Sequence, residues 1–258
     1  MLERRTLPGG VTALVSTAFE DRGFLAAFTE RSGGNSTGPF RSLNLGSRSE
    51  DDPAAVAGNR ARVCRALGIS SFACAEQVHG GRSATVGPQA AGAGFGRPEG
   101  FIAGVDALAT TGRDVALAVI TADCVPLALV DPSGGRVAVV HAGWRGVAAD
   151  IVATALTGFA DPTSVLAAIG PAVGPDHYEV GDDVARAVSA VTEGGAVTTR
   201  ANGSIRLDLP ATVARILAEL GVRHVEHDPV CTACESERFF SHRRDGQTGR
   251  QALVAVRR

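Results

Sequence analysis

Residues 115–141 read VALAVITADCVPLALVDPSGGRVAVVH. Three apolar runs of strand length stand in this stretch, Val115–Thr121, Val125–Val130 and Arg136–Val140, the last two parted by Asp131-Pro132-Ser133-Gly134-Gly135. Short runs rich in Val, Leu and Ala and broken by Gly, Pro and Asp read as buried strands, because a helix needs a longer periodic stretch. A fourth run, Ala107–Thr110, lies upstream across Thr111-Gly112-Arg113. The reading predicts four neighbouring buried strands, with Thr121-Ala122-Asp123-Cys124 as a polar interruption and His141 at a strand end.

Outward from this centre the pattern turns helical. Asp51-Asp52-Pro53 before Ala54–Leu67 and Gly68 supplies an acidic cap, a first-turn proline and a terminating glycine. Gly146–Phe159, Gly181–Val191 and Ala211–Leu220 have helical spacing, and Val165–Ile169, Val222–His227 and Ala252–Val256 read as strands. Strand pairs beside helices, without strict alternation, predict a mixed α/β or α+β layered fold. Residues 1–258 are expected to form one domain. Gly87–Gly100 reads as a long surface loop, and its glycines lack the strand-to-helix setting of a dinucleotide site.

Composition narrows the function. The chain has 45% hydrophobic and 20% charged residues, enough apolar material for a large core. Its net charge of −2 leaves no basic surplus for a phosphate backbone, so no nucleic-acid partner is expected. All basic residues are arginine, which weakens the meaning of any single one. No uninterrupted apolar run of about 20 residues and no signal-type stretch is present, so the expectation is a cytoplasmic protein without a membrane partner. Five cysteines, an odd number, fit reduced thiols better than a disulfide framework. Oligomeric state is not legible.

Three residues carry metal-ligand chemistry at the edges of apolar runs: His79 in Gln77-Val78-His79-Gly80-Gly81, Cys124, and His141 before Ala142-Gly143-Trp144-Arg145-Gly146. Two imidazoles and a thiolate are a zinc-type donor set that leaves one position open, the pattern of catalytic sites. Copper is a possible occupant because it outranks zinc in raw affinity. Cys231-Thr232-Ala233-Cys234 has the spacing of half a zinc ribbon or of a redox pair, without a second half or a thioredoxin-like setting.

Several segments together resemble the laccase-domain family, also described as a purine nucleoside phosphorylase family. They are Phe28-Thr29-Glu30-Arg31-Ser32-Gly33-Gly34, Ser42-Leu43-Asn44-Leu45-Gly46, Asn59-Arg60, Gln77-Val78-His79, Thr121-Ala122-Asp123-Cys124, His141 to Gly146, Ile169-Gly170-Pro171, Tyr178-Glu179-Val180, and Phe239 to Gly246 with Thr248-Gly249-Arg250. The resemblance implies α/β/β/α layers of the cytotoxic-necrotizing-factor-like, YfiH-type fold, and metal ligation by His79, Cys124 and His141. It also implies phosphorolysis of adenosine, inosine and methylthioadenosine, with adenosine deamination. One position departs from the family: Ala172 stands where members often have cysteine.

Phosphorolysis needs a seat for phosphate and stabilisation of charge on the leaving base. Gly143 and Arg145 at a helix start offer an anion seat, and Arg41, Arg60 and Arg243 are further candidates. Asn44 is a candidate for reading a ribose hydroxyl or base edge. Asp123 is either the carboxylate that handles protons or a clamp on the metal site. Tyr178 and Trp144 either stack on a purine or pack. The rival readings are a cysteine hydrolase with Cys124 as nucleophile and His141 as base, acting on amides of cell-wall precursors, a copper-binding polyphenol oxidase, and a non-enzymatic metal-binding interaction module. Six histidines without a His-X-His pair speak against the multicopper oxidase.

Overall fold

The four runs around Cys124 do not join one sheet. In the computed structural model, which describes residues 2–96, 98–192 and 196–258, they divide between two six-stranded sheets. The first sheet is ordered β1 (Leu2–Thr6), β2 (Thr12–Ser16), β3 (Phe24–Thr29), β15 (Gln251–Arg257), β7 (Leu117–Thr121), β4 (Ala73–Cys74). The second is ordered β14 (His224–His227), β10 (Leu166–Ile169), β8 (Val125–Asp131), β9 (Arg136–Ala142), β6 (Ala107–Thr110), β5 (Ser83–Thr85). The chain therefore crosses from one sheet to the other through Ala122-Asp123-Cys124. That crossing is the physical reason for the polar interruption, since the backbone leaves one ladder before it enters the next.

The sheets lie face to face. Phe28, Leu117, Val119 and Leu253 of the first share one core with Leu108, Val130, Val137 and Val139 of the second. Alternation along each strand sends the intervening residues outward. Ala13, Leu25, Ala118 and Val254 pack under helix α2 (Pro53–Leu67), and Leu127, Leu129, Ala138 and Val140 pack under α4 (Ile151–Leu156) and α6 (Leu209–Glu219). The result is a mixed fold of helix, sheet, sheet and helix layers. Because both faces are covered at the centre of each sheet, the central strands β3, β7, β8, β9, β10 and β15 are apolar along most of their length, while the edge strands β1, β5 and β14 carry polar residues. Helix α2 begins and ends at the expected caps, with Asp52 accepting from Ala54 N–H and Gly68 in the left-handed region at φ 66°.

The helix expected over Gly146–Phe159 is two shorter ones. α3 (Trp144–Ala148) and α4 are separated at Asp150, which stands at φ 59°. The break lies where the Gly80-Gly81 loop presses on this segment: a Cβ at position 81 would come within 1.9 Å of the Ala149 carbonyl oxygen. The smaller elements are α1 (Thr17–Glu20), α5 (Asp182–Ser189), α7 (His242–Asp245), and a third sheet of β11 (Glu179–Val180), β13 (Ile205–Leu207) and β12 (Val197–Thr199). The 87–100 segment, whose Arg97 lies outside the described residues, is bound to the body of the protein by Cys74 N–H to Ala93 O at 2.8 Å and by Arg60. Among the described residues no helix is long and apolar enough to cross a membrane.

Candidate metal centre and cavity

Alternation along β9 points His141 toward the space between the sheets, on the same face as Val137 and Val139. Register pairs Val125 with Ala142 and Pro126 with His141, which sets Cys124 beside Gly143 at the open end of the sandwich. His79 does not end a strand, as the sequence suggested. It follows β4 in a loop where Gln77 and His79 adopt φ 56° and 60°. Left-handed backbone at a non-glycine costs about 1 kcal/mol per residue, so something must hold the loop. Asp106 does so: its carboxylate accepts from the amides of Val78 (3.1 Å), His79 (2.9 Å) and Gly80 (2.8 Å). Gln77 contributes by exchanging two side-chain hydrogen bonds with the Ile120 backbone, at 2.7 and 2.9 Å.

The ligand atoms of His79, Cys124 and His141 all lie within 4.8 Å of one another. The two rings meet edge to face, with centroids 4.7 Å apart. His141 Nδ1 donates to Asp106 Oδ1 at 2.8 Å, which leaves Nε2 for the cluster. Burial pushes the Cys124 thiol up in pKa, but the neighbouring His141 and His79 rings outweigh it and bring the thiol down to about 6. Burial likewise pushes the His141 imidazole down, and the Cys124 thiolate with Asp106 raises it to about 9. Two imidazoles facing one thiolate, with clearance enforced by Gly143, suit a divalent ion of the zinc class. A Cβ at position 143 would stand 3.0 Å from both Cys124 Sγ and His79 Cδ2.

This cluster lines a cavity of about 630 Å³, within the range of small-molecule sites. Thr121, Tyr178, Arg48, Arg243 and Arg250 also line it. The Thr121 hydroxyl is buried without a hydrogen-bond partner among the described residues. Arg243 stacks over Tyr178, its guanidinium carbon 5.0 Å from the ring centroid, and Arg48 lies 5.1 Å from the Phe101 ring. Burial, with the Cys124 charge, pushes the Tyr178 hydroxyl up to about 12.

Of the other expected substrate residues, Arg60 and Asp123 are on the cavity lining, whereas Asn44, Arg41, Gly143 and Arg145 are not. Asn44 is fully buried and spent on the protein: its amide donates to Ser49 Oγ and Asp51 Oδ2, and its carbonyl accepts from Gly46 and Arg250 N–H. Arg60 is 1% exposed and donates to the carbonyls of Leu45, Gly94 and Phe95, so it pins the 87–100 loop. Arg145 is exposed and stacks on Trp144 at 4.3 Å, on a helix of five residues, and the expected anion seat there does not face the cavity. Arg41 is exposed and outside the lining, offering its carbonyl to Arg31. Asp123 accepts from Thr232 Oγ1 with one oxygen and from Arg243 N–H with the other, both at 2.6 Å, so both oxygens are engaged with the protein, and neither on a metal ligand. Sequence reasoning missed Asp106, Thr121 and Arg48, and gave Arg250 no role. A lone acid at the head of an apolar strand was the available signal for Asp106.

A layered α/β sandwich with a His₂Cys group able to hold a metal ion on the lining of an open cavity is the class of protein that the fold and site define. Within that class, the chain belongs to the family described as multi-copper polyphenol oxidoreductase laccase, whose sequence model matches residues 25–258. Among its relatives is a purine nucleoside phosphorylase of Corynebacterium glutamicum, 41% identical over 233 residues, covering 88% of this chain and 92% of the relative. Another, of Streptomyces coelicolor, is 42% identical over 232 residues, covering 87% and 92%. The crystal structure of YlmD from Geobacillus stearothermophilus superposes with a TM-score of 0.91 at 37% identity, covering 95% of this chain and 96% of that one.

Proposed function

We propose that this chain is a zinc-dependent purine nucleoside phosphorylase acting on adenosine, inosine and methylthioadenosine, with adenosine deaminase activity in the same pocket. The observation that carries the reading is the convergence of His79, Cys124 and His141 on the lining of a cavity to which four arginines, Arg48, Arg60, Arg243 and Arg250, also contribute. Relatives named purine nucleoside phosphorylase at about 40% identity support it. A zinc ion held by those three residues supplies a Lewis acid and a water of lowered pKa.

The protein's own groups account for the rest. In phosphorolysis a phosphate oxygen bonds to C1′ of the ribose as the C1′–N9 bond breaks, and the bonding pair leaves with the base. Arg48, Arg243 and Arg250 are the cavity's phosphate candidates, in place of Arg41, Arg60 and Arg145. Tyr178, stiffened by Arg243 against its ring, offers a face to a purine. The unpartnered Thr121 hydroxyl offers one donor and one acceptor to a bound nucleoside. Asp123 is a positioning residue that holds the Arg243 backbone beside the metal ligands.

A second reading rests on a specific observation: Cys124, His141 and Asp106 also form a nucleophile, base and orienter in sequence. That reading makes the chain a cysteine hydrolase of amides. His79 weighs against it, because a thiol nucleophile needs one imidazole and this sulfur faces two. Phosphate-dependent release of adenine from adenosine, and ammonia release for the deaminase activity, test the first reading on protein purified without added copper. Unchanged activity after metal removal and in Cys124→Ala would overturn it. Amide hydrolysis by metal-free protein, abolished by thiol alkylation, would establish the second.

A further inference from the structure

A second cluster of metal-ligating side chains lies outside the cavity. His177, Cys231 and Cys234 bring one imidazole nitrogen and two sulfurs within 4.8 Å of one another. The two cysteines belong to the Cys231-Thr232-Ala233-Cys234 turn, and His177 comes from a different segment. We propose that these three residues form a second site for a divalent ion of the zinc class, distinct from the His79, Cys124 and His141 centre.

Three features carry the inference beyond the Cys-X-X-Cys spacing. The first is the imidazole, brought to the two sulfurs from over fifty residues away. A redox pair needs no such residue, and redox pairs sit at the head of a helix. Here the turn is followed by Glu235 to Phe240, and the next helix, α7, starts at His242.

The second is a backbone cradle around Cys231. Gly174 N–H donates to Cys231 Sγ at 3.2 Å, and a Cβ at position 174 would stand 3.2 Å from Cys231 Cβ and 3.4 Å from its sulfur. An amide aimed at sulfur stabilises a thiolate, the form that binds metal.

The third is the way the two segments are tied together next to the cluster. Ala172 and Cys231 form a parallel bridge, with Thr232 N–H to Ala172 O at 3.0 Å. Such anchoring holds the donors in place before any ion arrives.

The location gives the site its purpose. Thr232, between the two cysteines, donates to Asp123, the neighbour of Cys124. Arg244 donates to the Thr232 and Ala233 carbonyls at 2.8 and 3.2 Å. His177 immediately precedes Tyr178, which lines the cavity. A metal bound here ties the Tyr178 wall to the segment that carries Arg243, so it stiffens the cavity from behind. Two thiolates and one imidazole select a borderline-soft divalent ion, with water in the fourth position.

Cobalt(II) titration of the full-length protein, stripped of metal and kept reduced, tests the site without reference to catalysis. Wild type is expected to take up two cobalt ions per chain, with Cys124→Ala and Cys234→Ser each taking up one. The Cys124→Ala variant should keep about two thirds of the thiolate-to-cobalt absorption, since two of the three thiolates remain. His177→Ala should weaken the second ion's binding in an otherwise intact protein. The proposal is overturned if Cys124→Ala binds no cobalt, or if Cys234→Ser still binds two ions. Loss of one ion in Cys234→Ser but none in Cys124→Ala would uphold this site and overturn the cavity centre. A Cys231–Cys234 disulfide that resists reduction, seen as failure of both thiols to alkylate, would also overturn the proposal.

Discussion

The Asp106 carboxylate accepts the Nδ1 proton of His141 at 2.8 Å and also holds the backbone amides of Val78, His79 and Gly80. One side chain thus orients a ligand on β9 and fixes the loop that delivers another. Burial alone would push Asp106 up in pKa, but the His141 hydrogen bond and the Gly80 and His79 amides outweigh it and hold the carboxyl below its ordinary range. The expected result of Asp106→Asn is a loss of zinc affinity on the order of 10- to 100-fold, measured by competition with a chromophoric chelator. Asp106→Ala should in addition destabilise the fold by about 3 kcal/mol in denaturant unfolding, because three amides lose their partner. Unchanged zinc affinity in Asp106→Asn would show that His141 is oriented by other means.

Gly143 tests the geometry of the cluster by sterics alone. Its φ of −77° is ordinary for any residue, so Gly143→Ala introduces no backbone strain. The added methyl must instead displace the Cys124 sulfur or the His79 ring, each 3.0 Å away. Metal affinity should fall at least tenfold while Tm moves by only about 3 °C or less. A variant that loses stability but keeps full zinc affinity would mean that Gly143 serves the fold and not the centre.

Metal loading should depend on pH in a way set by the two ligands. In the metal-free protein Cys124 titrates at about 6 and His141 at about 9, so a thiolate and an imidazolium face each other between those values. The metal takes both ligands unprotonated. Binding therefore expels one proton, from His141, between about pH 6 and pH 9, and a second, from Cys124, below about 6. Zinc affinity at this centre should rise about tenfold per pH unit in the upper window and more steeply below it, where Cys124 is protonated as well. Chelator competition in a Cys234→Ser background follows this centre alone. A flat profile through the upper window would mean that His141 is already neutral.

Much of the fold was legible from the runs at 107–140, from the caps of α2, and from the anchored glycines and prolines. What the runs could not give was sheet membership. β7 and β8 are adjacent in sequence and equally apolar, and only long-range partners put one beside β15 and the other beside β10. Periodicity reports burial and does not report which neighbour supplies it. Within the site, the two imidazoles and the thiol picked out by their donor chemistry come together, His79 and His141 each just before glycines and Cys124 at the crossing between the sheets. The roles of polar residues such as Asn44 and Arg60 were not legible, because a carboxamide or guanidinium serves equally well for binding a ligand or for capping buried carbonyls. Only the surrounding backbone separates those uses, and at both positions it closes around the side chain.

Arg60 and Arg243 make the last contrast testable. Arg243 presents its guanidinium over Tyr178 at the cavity wall and donates to Glu179 O at 3.1 Å, whereas Arg60, though also on the cavity lining, is 1% exposed and donates mainly to main-chain carbonyls. Arg243→Ala should raise the KM for phosphate about tenfold, the loss of one charge-assisted contact worth about 1.4 kcal/mol, with little change in unfolding free energy. Arg60→Ala should do the reverse: it strands the Leu45, Gly94 and Phe95 carbonyls and costs about 3 kcal/mol or more of stability, leaving the KM of the surviving folded protein unchanged. Steady-state kinetics and denaturant melts on the two variants, run side by side, decide the matter. An Arg60→Ala protein that melts like wild type but binds phosphate poorly would return Arg60 to the substrate site and remove the structural role assigned to it here.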